Sequence, residues 1–249
     1  MTGIDGNAWH QDAVAPRSHR SLRAVGDDGA EPAAPAHLRE RRRAVGELGE
    51  ALRVLVEHAT ATEVPTADLN RAADRIRQAA AMLGERQRDR STLASADDLL
   101  GGVRMYNPVT GGGSALAPPL RIEEVGGASI GTCTLGLAFE GPPMYAHGGV
   151  SAMLLDQMLG YAVSAAGYAG MTVRLDTSYR APVPLRTPLR LTAEVTGVEG
   201  RRVVASGAIA TVAEPEAVLV AATGTFVTLR AEQALQLFGP VLQRDDRAG

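Results

Sequence analysis

The residue whose surroundings point most directly to chemistry is Asp156. On a helix its neighbours three and four positions away are Ala152, Met153, Leu159 and Gly160, none of which carries a charge. A carboxylate set among apolar neighbours is costly to desolvate, so it needs a hydrogen-bond partner or a cavity to face. Two readings fit the helix alone: a structural acid that caps a neighbouring loop, or a reactive acid. The residues upstream bear on the choice. Glu140-Gly141-Pro142-Pro143-Met144-Tyr145-Ala146 runs into His147-Gly148-Gly149, where the helix begins. The first N–H groups of a helix have no intrahelical acceptor, the helix dipole favours negative charge there, and glycine admits a ligand close to the backbone. Gly148 and Gly149 are therefore candidates for an oxyanion hole, against the plainer reading of a glycine helix start with His147 as a capping or packing residue.

The spacing carries a quaternary expectation. Asp156 lies eight residues after Gly148, which is about 12 Å of helix rise. Both groups cannot reach one carbonyl within a single chain. A twofold dimer with antiparallel central helices would set the acid of one chain beside the helix start of the other, twice.

The elements that must hold these groups follow from the apolar periods. Residues 148–166 are apolar nearly all round, which requires a buried helix. Around it, residues 120–125, 129–139, 171–180, 187–198, 201–213 and 217–229 read as strands, rich in Val, Ile, Leu and Thr between turn residues. Two strands, one buried helix and four strands in a meander predict an α+β unit in which an antiparallel sheet wraps a single helix. Ahead of it, residues 37–58 and 66–88 repeat apolar residues at helical spacing, which predicts a helical hairpin with Thr66 as a cap. The Arg39 to Arg43 cluster, interleaved with Glu40, Glu47 and Glu50, reads as a solvated helix face. Residues 91–116, with Gly111-Gly112-Gly113, read as a flexible linker, because no lysine follows the glycines to make a phosphate loop. The expected organisation is a disordered segment at 1–36, the hairpin at 37–90, the linker at 91–116, the α+β domain at 117–231 and a tail at 232–249.

The segments HGGVSAMLLDQMLG, GMTVRLDTSYRAPVPL and VEGRR together resemble the acyl-CoA thioesterases of the PaaI-like hotdog superfamily, over roughly residues 105–230. The resemblance implies a hotdog fold and thioester hydrolysis, and implies nothing for the N-terminal hundred residues. It gives Asp156 the part of general base or nucleophile and the Gly148 N–H the part of oxyanion donor. Thr172 would position water or the carboxylate, and His147 would orient the loop or polarise the thioester. This chain has Gly-Pro-Pro-Met-Tyr-Ala before the histidine and so resembles the branch without a loop asparagine. Arg180, Arg186, Arg201 and Arg202 flank strand ends in the matching region and are candidates for the coenzyme A phosphates. Met153, Met158, Leu159 and Tyr161 would set the depth of the acyl pocket. The implied partners are an acyl-CoA substrate and a second copy, as a homodimer or tetramer, with no cofactor.

Composition narrows the alternatives. The 249 residues carry 25 basic and 28 acidic groups, a formal charge of −3, and 4% aromatics, a poor basis for binding nucleic acid. Every basic residue is arginine, which excludes lysine chemistry in this sequence. The histidines His10, His19, His37, His58 and His147 show no metal-ligand spacing. Cys133, alone, reads as a small core thiol and suits a reducing compartment; with no apolar run of transmembrane length, cytoplasm is the expectation. Two rival functions remain: a hotdog enoyl hydratase or dehydratase, and a non-catalytic acyl-binding or scaffold protein.

Overall fold

The computed structural model describes residues 34–99, 101–118, 120–125, 128–230, 232, 233 and 236. The readings made for residues 1–33 and 237–249 lie outside the described residues. Two helices come first, α1 (Ala36–Ala61) and α2 (Thr66–Gly84), built from Ala, Leu, Arg and Glu, which favour helices. Each starts on a proline. Pro35 and Pro65 occupy the N-cap positions, and the Pro65 carbonyl accepts from the N–H of Asp68 and Leu69 at 2.8 and 3.2 Å. Thr66 is thus the first helical residue and makes no side-chain cap, contrary to the sequence expectation; the fixed φ of proline already sets the chain for the turn. Among the described residues, no helix is long and apolar enough to cross a membrane.

The stretch expected to be a flexible linker is a run of turns that seats α1. Ala94, Ala96, Met105 and Val109 within it are buried, and Val45 of α1 packs with Ala96 and Met105. Arg42 is buried rather than solvated, because its Nε donates to the Ala96 carbonyl at 3.0 Å. The glycine triplet serves α1 as well. Arg53 donates to the carbonyls of Gly112 and Ser114, both at 2.8 Å. A Cβ on Gly49 would lie 2.3 Å from the Gly112 oxygen, so only glycine lets the helix approach so closely.

Six strands then form one antiparallel sheet: β1 (Arg121–Val125), β2 (Ala128–Thr134), β3 (Gly170–Tyr179), β4 (Pro188–Glu199), β5 (Arg202–Thr211) and β6 (Val220–Thr228). Their order is β1-β2-β4-β5-β6-β3, so β3 is an edge strand whose one neighbour among the described residues is β6. The single α-helix between β2 and β3, α3 (Gly148–Ala165), packs on β2, β3, β4, β5 and β6. Its Leu154, Leu155, Met158 and Leu159 meet inward residues such as Leu189, Leu191, Ile209 and Phe226, all fully buried. A sheet face of alternating apolar residues must bury against something, and α3 is apolar enough to be that partner. Glycines make room for it: a Cβ on Gly207 or Gly224 would come within 3.2 and 3.1 Å of Leu159.

Cys133 faces this core from β2, and burial pushes its thiol up to about 12. Because the thiolate is the reactive form, an aromatic disulfide reagent at pH 8 should label the native chain far more slowly than the denatured chain. Equal labelling rates before and after denaturation would contradict the placement.

Candidate active site at the start of the central helix

The loop that delivers His147 is pinned on both sides. The His147 N–H donates to the Phe139 carbonyl and the Ala146 N–H to the Val183 carbonyl, each at 2.9 Å, and Leu185 N–H donates to the Met144 carbonyl at 3.0 Å. Met144 adopts φ 74°, unfavourable for a residue with a Cβ by about 1 kcal/mol. Its N–H is held by the Glu140 carboxylate at 2.8 Å, which helps to keep it there. Gly141 sits so close to His147 that a Cβ would lie 2.7 Å from the histidine Cα. The prolines and glycines of the loop thus serve one end, a fixed entry angle into α3.

At that entry the two glycines have different fates. His147 is the N-cap of α3, and its Nδ1 accepts the Gly149 N–H at 3.0 Å. Gly149, expected as a second oxyanion donor, therefore has its N–H occupied. The Gly148 N–H has no acceptor among the described residues, which is the state an oxyanion donor requires. The Gly148 carbonyl accepts the Tyr179 hydroxyl at 3.0 Å, and the Tyr179 ring lies 3.3 Å from where a Gly148 Cβ would be. Tyr179 is the residue that sequence reasoning missed. Its signal was available: it sits on β3 at even spacing from Leu175 and Thr177, the face turned to α3.

Asp156 lies two turns further along α3, and its carboxylate accepts the Thr172 hydroxyl at 3.0 Å. The expected pairing of the two is present within one chain. Asp156 is half-buried, however, not sealed in an apolar helix face. The reason is topological. This flank of α3 lies over β3, beyond which the described chain has no further strand. Thr172 and the residues next to it are exposed, with Val173 at 61% and Met171 at 46%. Of the residues expected to shape an acyl pocket, Met158 and Leu159 are fully buried in the core, Tyr161 is buried, and Met153 is half-buried.

The four candidate arginines separate into two groups. Arg186 pairs with Glu57 of α1 at 3.2 Å, and Arg201 donates to the Thr228 carbonyl at 3.3 Å and to Gln233 at 3.4 Å. Arg180 and Arg202 have no side-chain bond among the described residues and keep their guanidinium groups available. Arg202 is in register with Val227 and through it with Met171, at the Thr172 end of β3, whereas Arg180 follows Tyr179 at the other end. Among the described residues no group of three His, Cys, Asp or Glu side chains could hold a metal ion.

An antiparallel sheet curled on one central helix, with a pinned glycine turn at the helix start, is the hotdog architecture. The thioesterase superfamily model matches residues 145–214, which take in the end of the loop, α3, β3, β4 and β5. The crystal structure of a thioesterase superfamily protein is 38% identical, with TM-score 0.66, and the likeness covers 74% of this chain and 94% of that one. That share exceeds the sheet and α3, so the likeness reaches into the chain ahead of β1. Acyl-coenzyme A thioesterase THEM4 of Mus musculus is 31% identical over 100 residues, and that of Bos taurus 33% over 95 residues. These matches cover 40% and 38% of this chain, and the chain spans 43% and 38% of the length of those two relatives. The chain belongs to the thioesterase superfamily.

Proposed function

We propose that the chain hydrolyses acyl-CoA thioesters to the free acid and coenzyme A, at two equivalent sites shared between two copies. The observation that carries this reading is the free Gly148 N–H at the start of α3 together with the Thr172-bound Asp156 two turns away. The relatives named for acyl-coenzyme A supply the substrate class.

In the reaction, the Gly148 N–H receives the thioester carbonyl oxygen as it gains charge. Either Asp156 takes a proton from water as the water oxygen bonds the acyl carbon, or its carboxylate attacks that carbon. In both routes the carbon–sulfur bond then breaks and the electron pair leaves on sulfur, which is protonated and released as the thiol. The first route yields the acid directly, and the second leaves an acyl–aspartyl anhydride that water hydrolyses to the acid and the free carboxylate. Thr172 fixes the carboxylate, and His147 orients the loop by accepting from Gly149. Arg180 and Arg202 are the guanidinium groups open to the coenzyme phosphates.

Edge strand β3 supports the shared site. It carries Thr172, beside Asp156, near one end and Tyr179, beside Gly148, at the other. Pairing β3 with a second copy antiparallel about Leu175 would set the Thr172 end of each chain beside the Tyr179 end of the other. Charge fits the same register. Arg174 and Asp176 bond each other at 2.6 Å within one chain, and would stand opposite the partner's Asp176 and the partner's Arg174 across the twofold. The hydrogen bond to Arg174 lowers the Asp176 pKa, so the acid stays charged for such pairing.

A free-thiol assay across acyl-CoA chain lengths tests the function. Thiol release is expected; an enoyl absorbance change without thiol would identify a hydratase, and neither signal a binding protein. Tyr179→Phe removes the hydroxyl that holds the Gly148 carbonyl. One hydrogen bond of about 0.5–1.5 kcal/mol corresponds to a fall in kcat of roughly twofold to tenfold, with KM unchanged. A kcat equal to that of the parent would remove Tyr179 from the site.

A further inference from the structure

From the contacts between α1 and the loop ahead of α3 we infer that Glu57 is a positioning residue for the oxyanion donor, so that the N-terminal helix is a working part of the thioesterase site. The inference rests on the reading of Gly148 as that donor. Glu57 lies one turn before the end of α1, and its carboxylate reaches the 3-10 turn Leu137–Phe139. The Ala138 N–H donates to Glu57 Oε2 at 3.4 Å, and Arg186 donates to Glu57 Oε1 at 3.2 Å. Gly136 opens the seat: a Cβ there would lie 2.3 Å from Glu57 Oε2. Burial raises the Glu57 pKa, but the backbone N–H of Leu137, the Arg186 side chain and the Ala138 N–H outweigh it and hold the group below the usual carboxylate range.

Each group that Glu57 holds is one step from the catalytic loop. On one side, the turn ends at Phe139, whose carbonyl accepts the His147 N–H at 2.9 Å. On the other, Arg186 follows Leu185, whose N–H donates to the Met144 carbonyl at 3.0 Å. Arg186 itself sits at φ 53°, in the left-handed region that a residue with a Cβ avoids, with its N–H on the Leu135 carbonyl at 2.7 Å. One carboxylate therefore ties together the two walls between which the His147-Gly148 entry is hung. Its own helix is anchored independently by Arg42, Arg53 and the Gly49 contact. That arrangement suits a rigid brace, since an oxyanion donor displaced by a fraction of an ångström loses much of its effect.

The test uses the full chain and two substitutions that attack the contact from opposite sides, Glu57→Ala and Gly136→Ala. For both, kcat for acyl-CoA hydrolysis is expected to fall about tenfold with KM within about twofold, since the loss is in the transition state and not in substrate binding. The melting temperature should stay within a few degrees, because Glu57 is only partly buried. Hydrogen exchange gives a readout independent of turnover: the amides of residues 139–149 should exchange about fivefold faster while those of β4 and β5 are unchanged. Unchanged kcat with unchanged loop exchange overturns the inference. A kcat loss that merely follows a lower melting temperature, with exchange raised across the sheet, overturns it too, because Glu57 would then only stabilise the fold. If Asp156→Asn keeps full turnover, the thioesterase reading itself has failed; if that variant is inactive while Glu57→Ala is fully active, only the brace has failed.

Discussion

Asp156→Asn should lower thiol release from acyl-CoA by a factor of about 10²–10⁴, the range that a positioned general base contributes. The substitution is close to isosteric. The Thr172 hydroxyl that now donates to the carboxylate at 3.0 Å can donate equally to the amide oxygen, so the local geometry is retained while the ability to accept a proton or attack carbon is lost. The melting temperature and the oligomeric state should accordingly match those of the parent chain, which separates a chemical defect from a folding defect. Turnover within threefold of the parent would remove Asp156 from the mechanism. A single turnover in ¹⁸O-labelled water bears on its two chemical parts: label in the Asp156 carboxylate after one turnover requires an anhydride opened at its aspartyl carbon and so identifies attack on carbon, whereas water activated by Asp156 places label in the released acid alone.

Two inactive variants should restore each other when mixed. Gly148→Pro removes the N–H that would meet the oxyanion, and proline is well accepted as the first residue of a helix. His147, at φ −62° and ψ 135°, already has the extended conformation that a residue before proline prefers. The new side chain meets the Tyr179 ring at 3.3 Å, which asks that ring to give by a few tenths of an ångström. Loss of one oxyanion donor costs on the order of 10²–10³ in kcat. If each site takes its N–H from one chain and its acid from the other, a mixed dimer of Gly148→Pro with Asp156→Asn contains one site with both defects and one with neither. Random pairing then returns about a quarter of the parent activity from two nearly inactive parents, after refolding or co-expression. Activity no greater than the mean of the two separate variants would mean that each site lies within a single chain, and the antiparallel pairing along β3 would have to be abandoned.

How much of this was legible from residues alone varies by element. The apolar run of α3 and the six strands were readable because burial on one face leaves a period in the sequence. The structure returns them within a few residues; Leu137–Phe139, read as the end of a strand, is a 3-10 turn. The acid and the glycine helix start were readable because each is an uncommon residue for its position, whereas Thr172, an ordinary strand residue, was marked only by the family resemblance. Other features left no such mark. Arg42 and Glu57 look like ordinary charges on a helix face, yet the first is buried against Ala96 and the second holds the loop before α3. Gly111-Gly112-Gly113 looks like a flexible tract and is the seat of α1, because small residues signal equally well a chain that moves and a backbone that is closely approached.

Thr172 was singled out by the family resemblance; the sequence by itself determined the α+β architecture, the burial of one central helix, the settings that make Asp156 and Gly148 candidates, and the impossibility of joining acid and amide within a helix. These last four follow from local periods and fixed helix geometry, which no distant contact can alter. Only the tertiary structure decided that Gly149 is spent on His147, that Tyr179 grips Gly148, that Asp156 opens toward the edge strand β3, and that α1 braces the loop. These are choices among equally good hydrogen-bond partners brought together from 31 to 129 positions apart or settled by a single rotamer, and a linear pattern carries no record of which partner wins.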